Sequence, residues 1–286
     1  MSKSPSEAPP LRDVLDQVRA EALEGGLQLP PRVIEDEGED AAARCREALL
    51  LLSNLCEQSV EEPNQVEKQR HLALLLTAKL LESCESTELS SKPFIAAVRR
   101  FFSVSLTRNS LSSGLKMTKL ALRLVVLVSK LFGESLSYEL GVFLDQIVLP
   151  VLVSGNSSYA QKHWMLQVSQ TLFGEAASAV LAVFLIFDCD LQKRNVLERM
   201  IESLSRIATG KYTSSEHASV IQPEQEHRLR ILALGALLTL VKSLEVKAQG
   251  HMTPPRGSSG TALGASWQEP ALEEEEEPEN EERPGG

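Results

Sequence analysis

An all-α fold is what this sequence predicts, an α-solenoid of stacked antiparallel helix pairs of the armadillo or HEAT kind. Three observations predict it. Leu dominates the apolar positions while aromatics make up only 5% of the chain, and Leu loses little rotamer freedom in a helix. From residue 41 to residue 246 apolar residues recur at helical spacing, in segments of 13–23 residues separated by short polar breaks. No segment sustains the alternation of a strand. Helix pairs that each offer one apolar stripe bury it by stacking side by side. The repeats differ in sequence, so a period supports this architecture only loosely.

Residues 1–40 read as mostly disordered, with Ser4 to Pro10 small and polar and Pro30-Pro31 interrupting any helix. Within them Leu11 to Leu23 has two readings. One is a short amphipathic helix with Leu11, Val14, Leu15, Val18 and Leu23 near one face. The other, favoured here, is a frayed terminal segment. The helical-repeat domain then spans 41–246. Ala41 to Val60 carries Leu49, Leu50, Leu52, Leu55 and Cys56 as its stripe, and Pro63 marks a break. Val66 to Cys84 carries Leu72, Leu75, Leu76, Leu80 and Leu81. Pro93 opens Phe94 to Leu106, since Pro suits a first helical turn.

Leu115 to Phe132 is the most apolar helix, and Gly133 ends it as a cap. Ser137 to Val151 follows, with Pro150 expected to stop or kink it. Tyr159 to Phe173 and Glu175 to Phe187 are the next two helices. Leu191 to Ala208 has Val196, Leu197, Met200, Ile201, Leu204 and Ile207 as its inner face. Gly210 to Gln222 is a polar loop, and Glu224 to Val246 closes the domain. Residues 247–286 read as a disordered acidic tail, because the carboxylates of Glu273 to Glu282 repel and cannot bury a core.

The net charge of −10 belongs to the two ends. Residues 1–40 hold 10 acidic and 4 basic residues and 247–286 hold 9 and 3, which leaves 41–246 at +2. A near-neutral domain without a basic patch excludes nucleic acid as a partner. The cysteines, Cys45, Cys56, Cys84 and Cys189, fit no metal or redox spacing, and a reduced cytosolic setting follows. No transmembrane helix is expected, because Arg123 and Lys130 interrupt the longest apolar run.

Catalytic patterns are missing as well. His71, His163, His217, His227 and His251 form no zinc spacing, and no phosphate-binding glycine loop or nucleophile elbow occurs. No metal, cofactor or catalytic residue is expected. Cys189 lies between Asp188 and Asp190, which would raise its pKa, so it reads as a small packed residue and not a nucleophile. Asp190 precedes the helix expected from Leu191 and reads as its N-cap. Asp188 is then the freer acid, available to bond a neighbouring loop or another domain.

The stretch Ile186 to Gly210, IFDCDLQKRNVLERMIESLSRIATG, resembles the HUS box of the large Arf guanine-nucleotide exchange factors. HUS is the homology region upstream of their catalytic exchange domain. The family pattern is close to N-Y-D-C-D followed by an F-E-x-L-V-x-x-L-S-K-I-A type helix. Here Phe187, Asp188, Cys189 and Asp190 occupy the box, and Asn195, Glu198, Leu204, Ser205, Ile207 and Ala208 follow in place. Other segments resemble the family in the same order. These are Phe94 to Ser110, Glu139 to Leu152, the turn Lys162-His163-Trp164-Met165 and the long helix after Glu226. The resemblance covers roughly residues 41–246.

It implies a cytoplasmic protein that is peripheral at Golgi or endosomal membranes and acts in vesicle trafficking. It also implies contact with the dimerisation domain of an Arf exchange factor through Phe187, Asp188, Cys189 and Asp190, and control of Arf-class small GTPases. Ile186 in place of Asn and Phe187 in place of Tyr remove two side-chain hydrogen-bonding groups from the box. No catalytic exchange domain is read after residue 246. The expected function is therefore a non-catalytic regulatory module of an exchange factor, the alternative being a stand-alone trafficking scaffold akin to the family's catalytically silent relatives.

Overall fold

The computed structural model describes residues 11–32, 41–60, 66–84, 89–112, 114–211 and 222–252. Among them the chain forms ten helical rods and no strand. In chain order they are α1 (Leu11–Glu24), α2 (Ala41–Gln58), α3 (Glu67–Ser83) and α4, which runs Lys92–Phe101, Phe102–Leu106 and Thr107–Asn109. Then come α5 (Leu115–Phe132), a 3₁₀ turn (Gly133–Leu136) and α6, built from Ser137–Phe143, Leu144–Val148 and Leu149–Val153. Next are α7 (Tyr159–Glu175), α8 (Ala177–Val183 with Phe184–Asp188), α9 (Val196–Ala208) and α10 (Pro223–Met252).

Two rows of helices emerge from the packing. Helices α1, α3, α5, α7 and α10 contact one another in turn, and α2, α4, α6, α8 and α9 form the facing row. This is the expected solenoid. The core runs between the rows and is Leu-rich, with Phe94, Phe101, Phe102, Phe143 and Phe173 fully buried. Phe102 meets Phe143 edge-on at 5.8 Å and so joins α4 to α6.

The middle rods of the second row share a feature that periodicity alone does not show. Helices α4, α6 and α8 each widen into a π-turn, starting at Phe102, Leu144 and Phe184. These starts lie 42 and 40 residues apart, the length of one armadillo-type repeat. The divergent sequence hides a period that the backbone keeps. The π-turn also explains Pro150, which was expected to stop or kink α6. The Leu149 N–H donates to the Leu144 carbonyl five residues back, so the turn is already wide where the ring enters, and the helix continues to Val153.

Local chemistry sets the other ends. Gly133 takes φ +48 as α5 stops, and Pro93 sits in the first turn of α4. Ser158 and Gln161 form a reciprocal capping box at α7. Helix α5 and its continuation, Leu115–Val153, are apolar enough in composition to cross a bilayer. Leu120, Ala121, Leu122, Leu124, Val125, Val126 and Val128 are nevertheless buried against protein.

At the amino end the helical reading of Leu11 to Leu23 is the one that forms, not the frayed segment. Val14, Leu15, Val18 and Ala22 are buried, while Leu23 is exposed, and α1 packs on α3 and α2. Arg19 forms a buried ion pair with Glu47 of α2 and donates to the Pro30 carbonyl at 3.0 Å. Residues 1–10 and 33–40 lie outside the described residues, as do 212–221 of the expected polar loop. At the other end α10 continues six residues past the expected Val246, and residues 253–286 of the expected acidic tail lie outside the described residues.

Candidate functional site at the joint of α6, α8 and α9

The π-turn of α8 ends at Asp188, and a seven-residue loop, 189–195, leads to Val196 at the start of α9. Nothing in the loop sequence Leu191-Gln192-Lys193-Arg194-Asn195 forbids a helix, yet α9 begins five residues later than expected. The reason lies in Asp188. Its Oδ2 accepts from the N–H groups of Val196 (3.1 Å) and Leu197 (3.0 Å), and its Oδ1 from that of Glu198 (2.9 Å). One carboxylate thus satisfies three of the four donors a helix start leaves open, at the positive end of the helix dipole.

The roles expected for the two acids are therefore exchanged. Asp188, not Asp190, caps α9. Asp190 instead shapes the loop. Its Oδ1 accepts from the Gln192 N–H at 3.0 Å, and its Oδ2 lies 3.4 Å from Lys193 Nζ. The Gln192 N–H holds the Asp190 carboxyl below the usual carboxylate range, and Lys193 adds to the effect. Lys193 Nζ also donates to the Ile186 carbonyl at 3.1 Å and lies 5.5 Å from the Phe187 ring centre.

Phe187 faces inward. It stacks on Tyr138 of α6 at 5.5 Å in a groove that exists because residue 141 is glycine. A Cβ on Gly141 would lie 2.2 Å from Phe187 Cε2. An ion pair between Arg199 of α9 and Asp145 in the π-turn of α6 closes the joint. Cys189, expected to be packed, is exposed. The fold brings the four box residues together and gives them different parts. Phe187 and Asp188 fasten α8 to α6 and α9, while Cys189 and Asp190 face outward.

Sequence reasoning missed the apolar side chains exposed around this joint. Leu191 is fully exposed, and Phe184, Leu185, Tyr138 and Val142 are also exposed. The signal was partly legible. Leu185 and Leu191 flank the box in sequence, but Leu191 was assigned to a helix that does not reach it. Ile201, placed on the inner face of α9, is exposed as well.

No described group of three or more His, Cys, Asp or Glu side chains could hold a metal ion. A cavity of about 170 Å³ between α2 and α4 is lined by Ser53, Cys56, Glu57, Ala97, Arg100 and Val104, among others. Burial pushes the Cys56 thiol well above its usual pKa, which disfavours the nucleophilic thiolate.

Comparison with known proteins assigns this joint to a family. The model of the Mon2/Sec7/BIG1-like HUS domain, of the Sec7-like HUS family, matches residues 45–196, from α2 through the box to the first residue of α9. The chain belongs to the Sec7-like HUS family. Among its relatives is the brefeldin A-inhibited guanine nucleotide-exchange protein 1 of Rattus norvegicus, 27% identical over 227 residues, which are 77% of this chain and 12% of that protein. The Homo sapiens protein of the same name matches with the same identity and coverage. The brefeldin A-inhibited guanine nucleotide-exchange protein 2 of Arabidopsis thaliana is 28% identical over 207 residues, 70% of this chain and 11% of that protein. The chain therefore spans about an eighth of the length of these relatives. The region matched by the family model is the HUS domain and not the catalytic exchange domain. In this HUS domain the box is the structural joint of three helices.

Proposed function

We propose that this HUS domain is a non-catalytic regulatory and protein-interaction module of an Arf guanine-nucleotide exchange factor, acting in Arf activation and vesicle-mediated trafficking. One observation carries the reading. The family's box occupies a joint whose inner residues are fully engaged in the fold and whose outer residues are presented on a pinned loop. Phe187 and Asp188 position that loop. Cys189 and Asp190, with the exposed Leu185 and Leu191 beside them, form the docking surface. Exposed apolar side chains beside fixed charges suit a protein partner.

The partner proposed is the dimerisation domain of an exchange factor, and through it Arf-class small GTPases. The setting is a cytoplasmic pool that associates peripherally with Golgi or endosomal membranes. Support comes from the family match over the box and from relatives whose names describe brefeldin A-inhibited nucleotide exchange.

The test is direct binding of the purified dimerisation domain of such a relative to this chain. Leu191→Asp and Asp190→Lys are compared with the parent after circular dichroism shows equal folding. The expected result is binding by the parent and a loss of about tenfold or more in each variant, the size seen when an interface anchor is removed. Equal affinity in all three proteins would take the docking role away from the box.

A further inference from the structure

Phe101 and Phe143 each stand immediately before a π-turn, 42 residues apart, and so hold equivalent positions in α4 and α6. Phe143 meets a ring of the preceding rod of its row, Phe102 of α4, edge-on at 5.8 Å. Phe101 has no such ring to meet, because α2, the preceding rod in its case, contains no aromatic residue. The cavity of about 170 Å³ lies at that place, between α2 and α4, with Phe101 in its wall. The small side chains of Cys56, Ala97 and Ser105 leave the space open.

We infer that this cavity takes the phenyl ring of a phenylalanine presented by a partner protein, and so supplies from outside the ring that α2 lacks. Size fits the occupant, since an apolar cavity of about 150 Å³ holds one benzene molecule. The wall suits it as well, because the Phe101 ring and the Cys56 sulfur both make favourable contacts with an aromatic ring.

The rim selects a residue within a polypeptide. Glu57 and Arg100 are the charged residues of the lining. Their side chains are 64% and 77% exposed, and Arg100 Nη2 lies 3.7 Å from Glu57 Oε1, longer than a hydrogen bond. The mouth therefore presents one donor group beside one acceptor group. A peptide answers both, its C=O accepting from the guanidinium and its N–H donating to the carboxylate. A free aromatic acid would face Glu57, and an aromatic amine would face Arg100. A second copy is disfavoured by its own rings. Of the eight phenylalanines in the chain, Phe184 is the exposed one. Its N–H donates to the Val180 and Leu181 carbonyls and its C=O accepts from the Cys189 N–H, so its peptide groups are engaged within α8. The cavity is in the same row as the box but on different rods, and this inference is independent of the box.

The experiment uses the full chain with carbon-13 in its alanine and valine methyl groups, and the probe is N-acetyl-phenylalanine methylamide. A ring in the cavity shifts the methyl resonances of Ala97 and Val104, which Ala97→Ser and Val104→Ile assign. The expected result is a saturable shift at millimolar probe, the affinity scale of a ligand this small, and no shift with N-acetyl-alanine methylamide. 3-Phenylpropionate and phenethylamine bind several-fold more weakly, and Glu57→Ala/Arg100→Ala narrows that margin. Affinity for the probe falls about tenfold or more in Ala97→Leu, which fills the cavity, and in Val104→Asp, which charges its outer wall. Circular dichroism checks the folding of each, and one folded variant is enough. The inference fails if the probe leaves both methyl resonances in place, or if a folded variant binds it as the parent does. It fails also if the acid or the amine binds as tightly as the capped phenylalanine, which would give the cavity to a free aromatic metabolite. A dimer in sedimentation that the probe dissociates and Phe184→Ala abolishes would give it to a second copy and overturn the inference as well.

Discussion

Asp188 and Asp190 are two residues apart and chemically identical, yet the fold gives them unequal work. Asp188 serves three backbone donors of α9, and Asp188→Ala leaves all three without that partner. The expected loss is about 2 kcal/mol, the upper end of the range for a helix cap, read as a lowered urea midpoint. A variant as stable as the parent would mean that water replaces the cap at no cost. Asp190 behaves differently, through pH. Its folded-state pKa is lowered, chiefly by the Gln192 N–H. Its stabilising share is therefore complete above the unfolded value of about 3.9 and disappears as pH falls through the lower folded value. Melting curves of Asp190→Asn and the parent should differ slightly at neutral pH and merge in acid. Curves that stay parallel into acid would dismiss the Gln192 turn as a source of stability. The thiols divide in the same way. Cys189 should react quickly with a maleimide in the native protein and Cys56 only on unfolding, as followed by mass spectrometry, because only Cys189 is exposed.

Among the elements, the π-turn decides what the box can do. It directs Asp188 toward α9 and seats Phe187 against α6, where Gly141 leaves space for the ring. Gly141→Val would drive a side chain into that ring, with an expected destabilisation of about 2 kcal/mol from overpacking. Adding Phe187→Leu should recover part of it. A double-mutant cycle with no coupling energy would show that Gly141 and Phe187 do not share the groove. Asn109 illustrates how an element can be recognisable before its purpose is. It is the penultimate residue of the Phe94-to-Ser110 segment that resembles the family. In the fold its Nδ2 donates to the carbonyls of Ser59 and Ser105, both at 2.9 Å, and so ties the end of α2 to the π-turn of α4.

For the molecule as a whole, α1 belongs to the folded core. The Arg19–Glu47 pair is buried at both ends, so Glu47→Ala would leave a buried guanidinium without this carboxylate. A cost of about 3 kcal/mol is expected in chemical denaturation. Arg19→Met together with Glu47→Leu should restore most of it. A Glu47→Ala protein with parental stability would show that α1 is held by its apolar face alone. At the same scale, this chain added to an Arf-class GTPase should leave nucleotide release at the intrinsic rate. Acceleration would overturn the non-catalytic reading.

The sequence by itself determined the helical class, most helix positions and the family resemblance, because these depend on local period, on Pro and Gly, and on a short box whose residues are adjacent in the chain. It determined faces less well where leucines run together. Leu50 and Leu75, read as members of buried stripes, are exposed, while Leu51 and Leu74 are buried, since the runs Leu49 to Leu52 and Leu74 to Leu76 offer neighbouring faces of a helix the same side chain. Only the tertiary structure decided that α1 docks, that the repeat is marked by π-turns, that Asp188 and not Asp190 is the cap, and that Cys189 faces solvent. Each depends on a contact between residues distant in sequence or on where a helix starts. The loop 189–195 contains no residue that forbids a helix, so its conformation is set by the carboxylate of Asp188 reaching the first turn of α9.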